Sequence, residues 1–228
     1  MRRGAGTALA HDRELLDLYA RLRAHFGHRN WWPARTRFEI VVGAILTQNT
    51  AWRNVEHAIA NLRAARVLSV AGIRRIETAE LARLVRPSGY FNQKAERLKA
   101  FVRFLDAHAA GSLSALARHE PTRLREALLS VKGIGPETAD SILLYALEVP
   151  VFVVDAYTRR VVERHRLIPP GETYESIRAY FEERLPRDLG LWNDFHAQIV
   201  AAGHHFCGTT PRCDGCPLQA LLPPEGAR

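Results

Sequence analysis

Lysine is nearly missing from this chain. Of 32 basic residues only Lys94, Lys99 and Lys132 are lysines, so 32 − 3 = 29 are arginines. Side-chain amines able to attack a carbonyl carbon are therefore few. Cysteine occurs three times, as Cys207, Cys213 and Cys216, all within ten residues. An odd, clustered count argues against a disulfide framework and for metal or cluster ligation. No apolar run approaches the roughly 20 residues that cross a bilayer. No apolar stretch follows Arg2 and Arg3 in the manner of a secretory signal. The expectation is a soluble cytoplasmic protein without a membrane partner.

What is present is an ordinary globular composition, 47% hydrophobic and 25% charged, over 228 residues. That length can bury one large core or two small ones. The net charge of +8 and a sequence pI near 9.9 favour a polyanionic partner, nucleic acid first.

Apolar residues recur at helical spacing almost throughout, predicting helices over 11–26, 38–46, 51–65, 70–73, 78–84, 93–108, 113–117, 122–130, 136–147, 156–165, 174–185 and 191–205. Thr78, Thr122 and Asp155 are candidate N-caps. The β-branched stretch 149–154 has nothing nearby to pair with and reads as a buried connector.

The most informative segment joins the helices 122–130 and 136–147. Its turn, Val131-Lys132-Gly133-Ile134-Gly135, is followed by Pro136 at a first helical position, where a missing N–H does no harm. Glycines allow positive φ and close approach of another backbone. Their N–H groups, with those opening the next helix, form a donor set suited to a phosphate oxygen. Twenty residues after Gly135, an apolar run ends on a single carboxylate, Asp155. It can cap the following helix, act chemically in a water-poor setting, or do both.

The string V-K-G-I-G-P-E-T-A-D resembles the helix-hairpin-helix motif, and the hairpin-to-Asp155 spacing resembles that of the endonuclease III superfamily of DNA glycosylases. The resemblance spans roughly residues 37–216. It implies an all-α, two-lobed helix-hairpin-helix glycosylase fold with a central DNA cleft. One lobe would be a six-helix unit over 37–149, and the other 1–36 plus 150–228. It implies that Asp155 is catalytic and that Lys132, Gly133, Ile134, Gly135 and Thr138 lie against a DNA backbone. In the loop Thr47-Gln48-Asn49-Thr50, Gln48 would fill the gap left by a flipped nucleotide, with Asn49 against the backbone. The segment Pro87–Ala95 also resembles the family, with Lys94 and Lys99 expected on a solvated face.

Strand-cleaving members carry a lysine two residues after the hairpin's second glycine, and here that position is Glu137. A glutamate cannot form a Schiff base, so the resemblance implies base excision by water. The hairpin G-I-G-P-E-T-A-D is most similar to that of the endonuclease III-like 3-methyladenine DNA glycosylases. Trp31, Trp32 and Trp52, with Glu137, would line the base pocket, where electron-rich rings suit a cationic alkylated purine. The tryptophans could equally be core residues. The family's [4Fe–4S] site uses four cysteines, and the fourth position here is Leu222. A cluster with an incomplete ligand set, a site that packs without metal, and a zinc site using His204 or His205 all remain open.

The reading is a monofunctional glycosylase of base-excision repair, acting as a monomer on double-stranded DNA containing a damaged base and needing no cofactor for catalysis. The alternatives are a bifunctional glycosylase/lyase acting on oxidised pyrimidines and a non-catalytic DNA-binding module.

Overall fold

The computed structural model describes residues 5–227, with side chains from Arg13 onward. It is all-α: among the described residues there are twelve α-helices and no strand, only an isolated bridge between Cys207 and Pro211. None of these helices is long and apolar enough to cross a membrane. The chain forms two compact units, Trp32–Val149 and Met1–Trp31 with Pro150–Arg228.

The first of these units holds α2 (Arg37–Leu46), α3 (Trp52–Ala64), α4 (Val70–Arg75), α5 (Thr78–Leu84), α6 (Phe91–Ala109), α7 (Leu113–Leu116), α8 (Pro121–Leu129) and α9 (Pro136–Ser141). Thr36 caps α2 by accepting the Glu39 N–H at 3.1 Å. Apolar all round, α2 is buried on nearly every side and packs against α3, α6, α9 and the chain after α9. Beyond Ser141 the helix widens into one π turn, Ile142–Ala146, wholly buried. Such turns are rare and accommodate one extra residue in a helical path.

Helix starts differ from expectation at two places. Thr78 and Thr122 lie inside their helices, and the residues before the first turn are Glu77 and Glu120. Pro121 takes the first helical position of α8, so the cap moves back to Glu120, whose carboxylate accepts the Thr122 and Arg123 N–H groups. Lys94 also departs from expectation. Instead of facing solvent it is fully buried, and Lys99 is half-buried with its ammonium on the Arg74 and Ile76 carbonyls at the end of α4. Helix ends leave carbonyls without intrahelical partners, and a lysine can satisfy them.

The second unit holds α1 (Ala5–Phe26), α10 (Ala156–Arg164), α11 (Tyr174–Glu182) and α12 (Leu189–His205). Residues 151–154 enter it as the expected connector, unpaired with any strand and buried. Phe152 stacks on Phe181 with centroids 4.0 Å apart and meets Phe195 edge-on. The Phe152 N–H donates to Glu182 at 2.9 Å. Asp194, 2% exposed, ties α12 to α1, accepting from Tyr19 Oη and the Arg29 N–H, each at 2.9 Å. Burial works to raise its pKa, but hydrogen bonds from Arg29, Tyr19 and Gln198 outweigh that and hold it below the ordinary value.

Candidate active site

In the unit Trp32–Val149, α8 and α9 form the hairpin. They are clamped by a bidentate pair, with Arg125 Nε 2.7 Å and Nη2 3.0 Å from the two oxygens of fully buried Asp140. Val131 and Ile134 bury their side chains and fix the turn to the core. Gly133 has φ +86°, a region where a side chain is strained. Gly135 is extended instead, at φ −92° and ψ 179°, as the residue before α9. The Ile134 N–H donates to Val131 O at 3.0 Å and so closes the turn from inside. Gly133 and Gly135 flank Ile134 on the exposed side of the turn, just before α9.

The loop after α2 lies directly on this turn. Gln48 Nε2 donates to Gly133 O at 3.0 Å and to Thr138 Oγ1 at 2.9 Å. Thr138 is buried, and its hydroxyl faces Gln48. Asn49 is exposed with φ +53°. Lys132 is exposed and lines one groove with Gln93, Glu96, Arg97, Arg103 and Gly133. That groove is cationic apart from Glu96.

Trp32 and Trp52 come together, edge to face with centroids 5.3 Å apart, and Tyr145 completes the cluster 5.4 Å from Trp32. Gly43 makes room for it: a Cβ there would sit 3.1 Å from the Trp32 indole. Tyr145 sits in the π turn and carries no sequence signal beyond an apolar helix. Glu137 is exposed in the first turn of α9. Trp31 belongs to the other unit.

In that other unit, Asp155 precedes α10 and caps it, Oδ1 accepting the Thr158 N–H at 2.7 Å. Its side chain is 14% exposed, and Oδ2 lies 3.7 Å from Nε2 of His196 on α12. Burial pushes the His196 pKa down while the nearby Asp155 pulls it up, and the net is a lowered value. The ring is therefore neutral at neutral pH, with the Asp155 carboxyl group beside it. His196 escaped notice in the sequence because it sits inside a helix that reads as uniformly buried.

Residues 42–187 match the pattern of the HhH-GPD superfamily base excision DNA repair protein. The chain belongs to the HhH-GPD superfamily. It is 45% identical over 207 residues to a Methanocaldococcus jannaschii protein that carries the provisional designation of DNA repair glycosylase, covering 90% of this chain and 94% of that one. It is also similar to the solved H. pylori 3-methyladenine DNA glycosylase bound to 1,N6-ethenoadenine. There the identity is 30%, the TM-score 0.71, and the coverage 83% of this chain and 95% of that one. A non-covalent endonuclease III–DNA complex shares the fold, with TM-score 0.78 at 19% identity over 92% and 94% of the two chains. This HhH-GPD protein is thus a base-excision DNA repair protein of the glycosylase class.

The three cysteines of this HhH-GPD protein cluster near its C-terminal end. Cys207, Cys213 and Cys216 line one cavity with Arg164, His165, Phe206, Leu218 and Leu222. Arg164 donates to Cys207 Sγ at 3.1 Å. At the fourth position the cavity wall is a leucine side chain, so the residues present do not supply a four-thiolate set. Among the described residues no three His, Cys, Asp or Glu side chains converge as a single-ion site requires. His204 and His205 do not line this cavity, and His205 instead stacks near Phe26. His165 is the histidine that reaches it, with Nδ1 3.2 Å from Leu221 O.

Proposed function

We propose that this protein is a monofunctional DNA glycosylase that excises alkylated purines by hydrolysis, with Asp155 as the catalytic carboxylate. The observation that carries the proposal is the state of Asp155: one oxygen is committed to the α10 cap and the other lies beside a buried, neutral histidine. Such a carboxylate is held in one place by the helix start and by its neighbour on α12.

A purine alkylated on N3 or N7 carries a positive charge. When its N-glycosyl bond breaks, the bonding electrons leave with the base, which departs neutral and needs no proton. The positive charge moves to C1′ and the ring oxygen of the sugar. Asp155 opposes that charge in a setting shielded from bulk water, where the interaction is strong. Water then adds to C1′, and its proton passes to the carboxylate or to solvent. The Trp32, Trp52 and Tyr145 cluster suits a cationic base through cation–π attraction of about 0.5–2 kcal/mol. Glu137 at the position of the strand-cleaving lysine supports release without a Schiff base. The similarity to a 3-methyladenine glycosylase supports the same substrate class.

On the DNA side, Gly133, Gly135 and Lys132 would hold backbone phosphates, and Gln48, set beside the hairpin, would enter the duplex. The proposed chemistry uses no step at the cysteine cavity, and an absorbance band near 400 nm in the purified protein would report a cluster held there by three thiolates. Single-turnover excision across duplexes carrying 3-methyladenine, 7-methylguanine, 1,N6-ethenoadenine, thymine glycol and a G·T mismatch tests the substrate class. Release confined to the oxidised pyrimidine or the mismatched thymine would overturn it.

A further inference from the structure

Lys94 is fully buried, and burying an ammonium is costly unless it is hydrogen-bonded. Its Nζ donates to two main-chain carbonyls far apart in sequence, Leu46 O at 2.9 Å and Ser88 O at 2.5 Å. Leu46 is the last residue of α2, so its carbonyl lies at the negative end of the helix dipole and immediately before Thr47-Gln48-Asn49-Thr50. Ser88 closes the short helical turn Arg86–Ser88 that leads to Tyr90, whose side chain is 64% exposed at the start of α6.

One turn along α6, on the same face as Lys94, Arg97 donates to Gln48 Oε1. Gln48 is thereby engaged at both ends of its amide, by Arg97 at the oxygen and by Gly133 O and Thr138 Oγ1 at the nitrogen. The side chain of Arg97 also packs against Gly133, where an added Cβ would fall 2.5 Å from its Nε. Burial, with a smaller contribution from the charge of Arg97, lowers the Lys94 pKa to about 8, so the ammonium is still mostly protonated at pH 7.

We propose that α6 sets the position of the duplex-probing loop through two positioning residues, Lys94 joining the root of that loop to the 86–90 turn and Arg97 holding Gln48 at its tip. An apolar residue at position 94 would fill the space but leave both carbonyls without their donor. The loop would then meet a duplex with a disordered root. The inference rests on the reading of Gln48 as the residue that enters the duplex, and not on Asp155.

The test therefore uses binding alone. The affinity for a duplex with a tetrahydrofuran abasic analogue, divided by that for the intact duplex, is measured for the wild type, Lys94→Met, Arg97→Ala and Gln48→Ala, and for each of the first two combined with Gln48→Ala. The expected result is a fall in preference of about 10-fold for each single variant, with less than about 2-fold further loss when position 94 or 97 is changed in the Gln48→Ala background. Equal losses in both backgrounds would mean that Lys94 and Arg97 act on the fold in general, and would overturn the proposal. If Lys94→Met loses its helical circular dichroism, the Arg97→Ala pair decides, since that side chain is half-exposed. An unchanged preference in Gln48→Ala itself would remove the role of Gln48 and the proposal with it. Loss of excision across the lesion panel would leave this result standing.

Discussion

Asp155 and His196 face each other across 3.7 Å between Oδ2 and Nε2, both largely buried and brought together by the start of α10 and the middle of α12. The histidine is kept neutral by its burial although a carboxylate is near. This pairing has a consequence for stability as well as for chemistry. In the folded protein the His196 pKa lies below the ordinary value of about 6.5, and unfolding restores it. As pH falls through about 6.5 the unfolded chain takes up the proton before the folded one does, so stability is present above that value and lost below it. Half-buried His165 shifts in the same direction. The melting temperature should therefore fall between pH 7 and 5, and His196→Gln should reduce the slope. A slope unaffected by that change would remove His196 from the account.

Arg125 and Asp140 make a second prediction. Their bidentate pair joins α8 to α9, with Asp140 fully buried. Removing Asp140 takes the carboxylate away from a largely buried guanidinium, and breaking such a pair costs about 3–5 kcal/mol. Asp140→Ala should lower the denaturant midpoint accordingly, whereas the double variant Arg125→Met, Asp140→Leu should recover most of the loss. An Asp140→Ala protein as stable as the wild type would show that the pair does not hold the hairpin.

Most of the helical order was legible in the sequence because apolar spacing is a local signal. The hairpin and the capping role of Asp155 were legible for the same reason: glycine, proline and a capping carboxylate act within a few residues. The burial of Lys94 was not, because its partners are carbonyls at residues 46 and 88, and nothing in Asn92-Gln93-Lys94 signals them. The pairing of His196 with Asp155 spans 41 positions (196 − 155) and was equally hidden. Asp140 read as one letter of a motif, while in the fold it is the clamp of that motif. The cap falls at Glu120 and not at Thr122 because Pro121 takes the first helical position, while Thr78 lies one residue inside a helix whose preceding Glu77 makes no side-chain cap.

Glu137 yields a prediction about reaction type. With borohydride and a duplex containing an abasic site, the protein should give no covalent adduct above background, because no lysine occupies that position. A high-yield adduct abolished by substituting Lys132 would instead assign a Schiff-base pathway to the turn.

The most direct measurement is single-turnover excision of 3-methyladenine by Asp155→Asn. Asparagine still caps a helix, so the melting temperature and the affinity for an abasic-analogue duplex should stay near those of the wild type. Losing a fixed charge opposed to the developing cation should lower the excision rate by at least about 100-fold. A rate within about threefold of the wild type, with folding and DNA binding intact, would contradict the assignment of Asp155 as the catalytic carboxylate.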